Sequence, residues 1–137
     1  MPVKSPPDRS LRRILEELRT QPGVTTALLA ASDGLLIARA VEGDDADELW
    51  AAVSAVLGNL GGKLTAGLGG GELQSAAFTA VHCQFVVRRV SLGYLLAVAQ
   101  PEADVEGICA GMETAAREVE AVTALLAPTA REGDEHV

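Results

Sequence analysis

The chain has 137 residues, about the length of one domain, and 48% of them are hydrophobic while only 3% are aromatic, so a core must be built from Leu, Val, Ile and Ala. A formal net charge of −8 and the lack of any basic cluster argue against nucleic acid and anionic membrane surfaces, whose phosphates would repel it. No stretch approaches the roughly 20 apolar residues of a membrane span. "MPVKSPPDRS" lacks the apolar segment of a secretory signal, and Cys83 and Cys109 stand apart without a C-x-x-C. The expectation is therefore a cytoplasmic protein with reduced thiols and no membrane insertion.

Three prolines in residues 1–7 predict a loose tail, as does the polar "PTAREGDEHV" at 128–137, which leaves a single domain over 8–127. Leu11, Ile14, Leu15 and Leu18 fall at helical spacing in a short helix over 8–20, with Asp8 or Ser10 as cap and Pro22-Gly23 as stop. "VTTALLAA" (24–31) and "LLIARAV" (35–41) read as strands joined by Ser32-Asp33-Gly34, a strong hairpin signal. A long helix follows over about 45–66, with Asp44 or Asp45 as cap and further acids suited to the positive end of its dipole. "ELQSAAFTA" (72–80), "CQFVVRRV" (83–90) and "YLLAVAQ" (94–100) predict a three-stranded meander. A last helix over 102–126 carries Val105, Ile108, Met112, Ala115, Val119, Val122 and Leu126 on one stripe, between Pro101 and Pro128. The order α-β-β-α-β-β-β-α predicts an α+β fold, a five-stranded antiparallel sheet flanked by three helices.

On a 3.6-residue wheel the middle helix has two stripes about 180° apart. Leu49, Val53, Val56, Leu60 and Leu64 form a large apolar one, expected to pack on the sheet. Ala51, Ala55, Gly58, Gly62 and Ala66 form a small one, and between Trp50 and Thr65 the only charge is Lys63. Each interior glycine costs about 1 kcal/mol relative to alanine, so Gly58, Gly61 and Gly62 need a compensating role. Close approach of a second helix is one such role, and burial within the chain's own fold is the other. The former predicts a dimer in which Ala51, Ala55, Gly58, Gly62 and Ala66 meet a second copy. "ELQSAAFTA" then supplies an unprotected edge strand, adding Glu72, Gln74, Ala76 and Phe78 to a two-fold interface.

Little in the sequence points to catalysis. "GNLGGKLTAGLGGG" (58–71) has three residues instead of four between Gly58 and Gly62-Lys63, Leu64 in place of the hydroxyl residue, and a helix in place of the preceding strand, so it is no phosphate loop. His82 and His136 have no Cys or Asp at ligand spacing. Cys83 and His82 are strand neighbours that point to opposite faces, and Cys109 is expected to pack in the core. The expectation is a protein that is not an enzyme and has no cofactor or metal.

With "PGVTTALLAASDGLLIA", "GGGELQSAAFTA" and "VSLGYLLAVAQPEADVEGICAGME" in this arrangement, the chain resembles the Roadblock-type domain, known from dynein light chains. The resemblance covers about residues 9–126, and none of its motifs is a catalytic signature. It implies a Roadblock, profilin-like fold and a homodimer or heterodimer whose sheets join and whose middle helices lie side by side. It further implies, as in the bacterial gliding-motility polarity proteins, an adaptor that docks a small Ras-like GTPase on those helices. By position, Trp50, Ser54, Gly58, Gly61 and Lys63 would then meet the partner, although Trp50 could equally cover the edge of the sheet. The alternative function is a small-molecule sensing or general scaffold module, for which Thr25, Thr26 and Ser75 are the few polar candidates.

Overall fold

The computed structural model describes residues 6–40 and 46–126. Its elements are α1 (Pro6–Arg19), β1 (Val24–Ala31), β2 (Leu36–Arg39), α2 (Ala46–Gly67), β3 (Ser75–Thr79), β4 (Gln84–Val90), β5 (Gly93–Ala99) and α3 (Val105–Leu126). The five strands form one antiparallel sheet in the order β2-β1-β5-β4-β3. The predicted α+β fold with three helices is therefore the observed one. β5 is buried at every position, as a continuous apolar run at the middle of a sheet covered on both faces should be. The β1–β2 hairpin turns at Asp33-Gly34, where Gly34 has a φ of +95° that a side chain would disfavour.

Each sheet face has its own core. On one, Leu11, Ile14, Leu15 and Leu18 of α1 and Ile108, Met112, Ala115 and Val119 of α3 pack over Leu29, Val86, Leu95 and Ala97. Both helices bury the stripes that their spacing predicts. On the other, α2 alone lies over Leu28, Val87, Tyr94, Leu96 and Val98.

The orientation of α2 is opposite to the expectation. Its small stripe faces the sheet: Ala51 is 0% and Ala55 4% exposed, and Gly58 is buried. The strands supply the bulk on this face, so the helix must be small. At Gly58 an added Cβ would overlap the ring of Tyr94. The compensating role of this glycine is thus intramolecular. Leu49, Val56, Leu60 and Leu64 point away from the sheet and are between 54% and 67% exposed.

Three boundaries also differ. α1 starts at Pro6, so Asp8 and Ser10 lie within the helix and do not cap it. α3 starts at Val105, with Pro101 in the preceding turn; Asp104 caps it, its Oδ1 accepting from the Glu106 N–H at 3.2 Å. The side-chain nitrogen of buried Gln84 steadies this turn, shared among the carbonyls of Gln100, Pro101 and Ala103 at 3.1, 3.3 and 2.7 Å. β3 starts at Ser75 because the backbone turns through positive φ at Gly69 and Gly71, leaving Glu72 and Gln74 ahead of the strand. The predicted caps Asp44 and Asp45, and the two tails apart from Pro6 and Pro7, lie outside the described residues.

Candidate functional site

The outward face of α2 is a ridge of large apolar side chains. Leu49 to Leu64 spans 15 residues, about 22 Å at 1.5 Å per residue. Val53 and Leu57 are half-buried beside it, and Lys63 is the only charge between Trp50 and Thr65. Single exposed apolar residues are ordinary, but a continuous row of this length is the kind of surface on which interaction sites are found. It exists because the sheet demands the small stripe, which leaves the large one facing outward.

A second open surface adjoins it. β3 is the outermost strand, next to β4 alone. The bonds from Arg89 N–H to Gln74 O and from Ala80 N–H to Cys83 O fix the phase of this pair. Residues 74, 76, 78 and 80 direct their backbone polar groups at β4, and Ser75, Ala77 and Thr79 direct theirs outward. The strand contains no proline or charge to protect that edge. An aromatic row links edge to helix: Phe78 stacks on Phe85 with centroids 4.8 Å apart, and Phe85 meets Trp50 edge-on at 5.1 Å.

The structure separates the residues predicted for this site. Ser54 is fully buried and donates from Oγ to the Trp50 carbonyl at 2.8 Å, and Gly58 lies under Tyr94, so neither can meet a partner. Ala51 and Ala55 are likewise buried within the chain's own core and are withdrawn from the interface. Trp50 is half-buried against Phe85, Gly61 rests on Leu73, and Lys63 is exposed. Gly62 and Ala66 border an open cleft. Glu72 is exposed and stands 3.9 Å from Arg89, Gln74 is exposed, and Ala76 and Phe78 are half-buried on the α2 side of β3. Of the stripe expected to pack on the sheet, Leu49, Val56, Leu60 and Leu64 are exposed and Val53 is half-buried, so that stripe makes the surface. The available signal was the size of the strand residues beneath α2.

The candidates for other chemistry do not assemble. Among the described residues no three His, Cys, Asp or Glu side chains are grouped to hold a metal ion. Thr25 is exposed on β1, donating to the Val98 carbonyl at 3.2 Å, and Ser75 is three strands away on β3. No helix among the described residues is long and apolar enough to cross a membrane.

A sheet with one helix on one face and two on the other, an apolar ridge and an unguarded edge describe an α+β domain with surfaces suited to protein contacts. The Roadblock/LC7 domain model matches residues 11–100, and the chain belongs to that family. Its fold is shared with the gliding protein MglB of Thermus thermophilus (18% identity, 88% of this chain and 93% of that one, TM-score 0.76). It is shared also with Myxococcus xanthus MglB (14% identity, 92% and 96% covered, TM-score 0.79). A Roadblock/LC7 domain from Streptomyces avermitilis is 25% identical over 84% of this chain and 96% of that one, with a TM-score of 0.72. No sequence among curated proteins matches the chain.

Proposed function

We propose that this protein is a homodimeric, non-enzymatic adaptor of the cytoplasm that docks a small Ras-like GTPase on its paired α2 helices. The observation that carries the reading is the ridge of Leu49, Val56, Leu60 and Leu64, facing away from the sheet with Lys63 as its only charged neighbour between Trp50 and Thr65. The open edge of β3 supports the dimer: two such edges, paired about a two-fold axis, would merge the sheets and bring the α2 helices together above the join. Trp50, Gly61, Lys63, Ala76 and Phe78 keep their places in this proposal, joined now by the ridge leucines and Val56. The membership in the Roadblock/LC7 family and the fold shared with MglB support the regulatory role.

Any acceleration of GTP hydrolysis would be indirect. Arg39 lies 3.9 Å from buried Asp47, Arg89 lies 3.9 Å from Glu72, and neither stands on the ridge as a free finger. The test is calorimetric titration of the purified protein with the Ras-like GTPases of its own source, each loaded with a GTP analogue or with GDP. Binding of one GTPase with a clear preference for one nucleotide state is the expected result. Failure of every such GTPase to bind in either state would refute the reading.

A further inference from the structure

We propose that the cleft beneath the C-terminal turns of α2 binds a small molecule carrying an oxyanion, as a phosphate ester or a carboxylate. The cleft has a volume of about 550 Å³, inside the roughly 300–1,000 Å³ range of small-molecule sites. It opens beside the apolar ridge and shares Lys63 with the surface proposed above, but the inference does not rest on the GTPase reading.

Its floor is rigid. Tyr94 donates from its hydroxyl to Asn59 Oδ1 at 2.6 Å, and Asn59 donates from Nδ2 to the Ser32 carbonyl at 2.9 Å. Its rim is held by Ser91, whose N–H and hydroxyl both donate to the Glu120 carboxylate at 3.0 and 2.7 Å. One wall is open by construction: a Cβ added at Gly62 would meet nothing within 4 Å. Packing therefore does not require this glycine, although it costs the helix about 1 kcal/mol relative to alanine. A ligand entering the cleft would use that space.

The charge of the site points to the ligand class. Lys63 and Arg89 line the cleft, and Arg88 lines a neighbouring one of about 290 Å³ that shares Arg89 and Ser91. Lys63 and Arg89 are thus the two cations among the residues lining the cleft, with Glu72 the one acid. Glu120, which lines the neighbouring cleft, is engaged by Ser91, and Glu72 is an exposed side chain 3.9 Å from Arg89, too far for a tight pair and easily displaced. Lys63 and Arg88 make no ion pair among the described residues, and the Arg88 Nε is buried without a hydrogen-bond partner. A bound oxyanion would displace Glu72 from Arg89 and accept charge-assisted hydrogen bonds from the Lys63 ammonium and the Arg89 guanidinium.

The test is amide NMR of the native protein titrated with pyrophosphate and, separately, with citrate, against sodium chloride at matched ionic strength. The two arms distinguish phosphate from carboxylate chemistry. The expected result is saturable shifts for at least one anion, centred on Asn59, Gly62, Lys63 and Ser91. Lys63→Met and Arg89→Gln should each weaken that binding by about tenfold or more, the loss of one hydrogen bond to a charged group, with melting temperatures unchanged. Gly62→Leu should weaken it by occupying the cleft. The proposal is overturned if neither anion saturates beyond the chloride control, or if the Lys63 and Arg89 variants bind as tightly as the native protein.

Discussion

Gly58 shows how one residue can be read for the wrong reason. Its glycine identity signalled a close approach, and a close approach exists, but to Tyr94 of the same chain. Nothing in a helical wheel says which large residue of a distant strand will stand under a given glycine. The consequence is testable. Gly58→Ala gains about 1 kcal/mol of helix propensity but forces overpacking that typically costs about 1–3 kcal/mol. We expect a lower melting temperature without a change in association at equal folded fraction; a stabilised variant would contradict the close packing. Gln84 offers a second case. Its side chain is the donor for the turn that launches α3, and Gln84→Leu would remove these part-buried hydrogen bonds, at about 0.5–1.5 kcal/mol. Denaturant unfolding should show a loss of that size. From the sequence it read only as a polar residue at the start of a strand.

Elements were more legible than their faces. α1 and α3 bury the apolar stripes that their spacing dictates, because each carries one such stripe against a polar remainder. α2 carries apolar or small residues nearly all round, so periodicity marked a helix without choosing its inner side. Strand residues decide: Tyr94, Leu96 and Val87 fill the layer, and only the Ala51–Ala55–Gly58 stripe fits above them. The outward stripe is therefore free to be changed. Val56→Asp with Leu60→Asp should leave thermal stability within about 0.5 kcal/mol, as for exposed sites generally, and abolish GTPase binding in the titration described above. At the edge of the sheet, the Ala77 N–H points away from β4, so Ala77→Pro removes an outward donor and leaves the β3–β4 bonds in place. Circular dichroism should stay native while the solution mass falls to that of one chain.

At the scale of the molecule, the order of elements and the antiparallel sheet could be read from turn signals and alternation alone, since "SDG", "SLG" and the prolines punctuate nearly every boundary. The hairpin and the meander are local, but the β1–β5 pairing that joins them and leaves β3 at one edge is long-range and could not be read from turn signals. Also beyond reach was the surface, which depends on how the layers stack. The central claim is that the ridge and the β3 edge exist to be covered by a second copy and a partner. Light scattering on the native protein across a range of concentrations tests it most directly. The account predicts a mass twice the 14.2 kDa of the chain; a mass of 14.2 kDa at every concentration would contradict it.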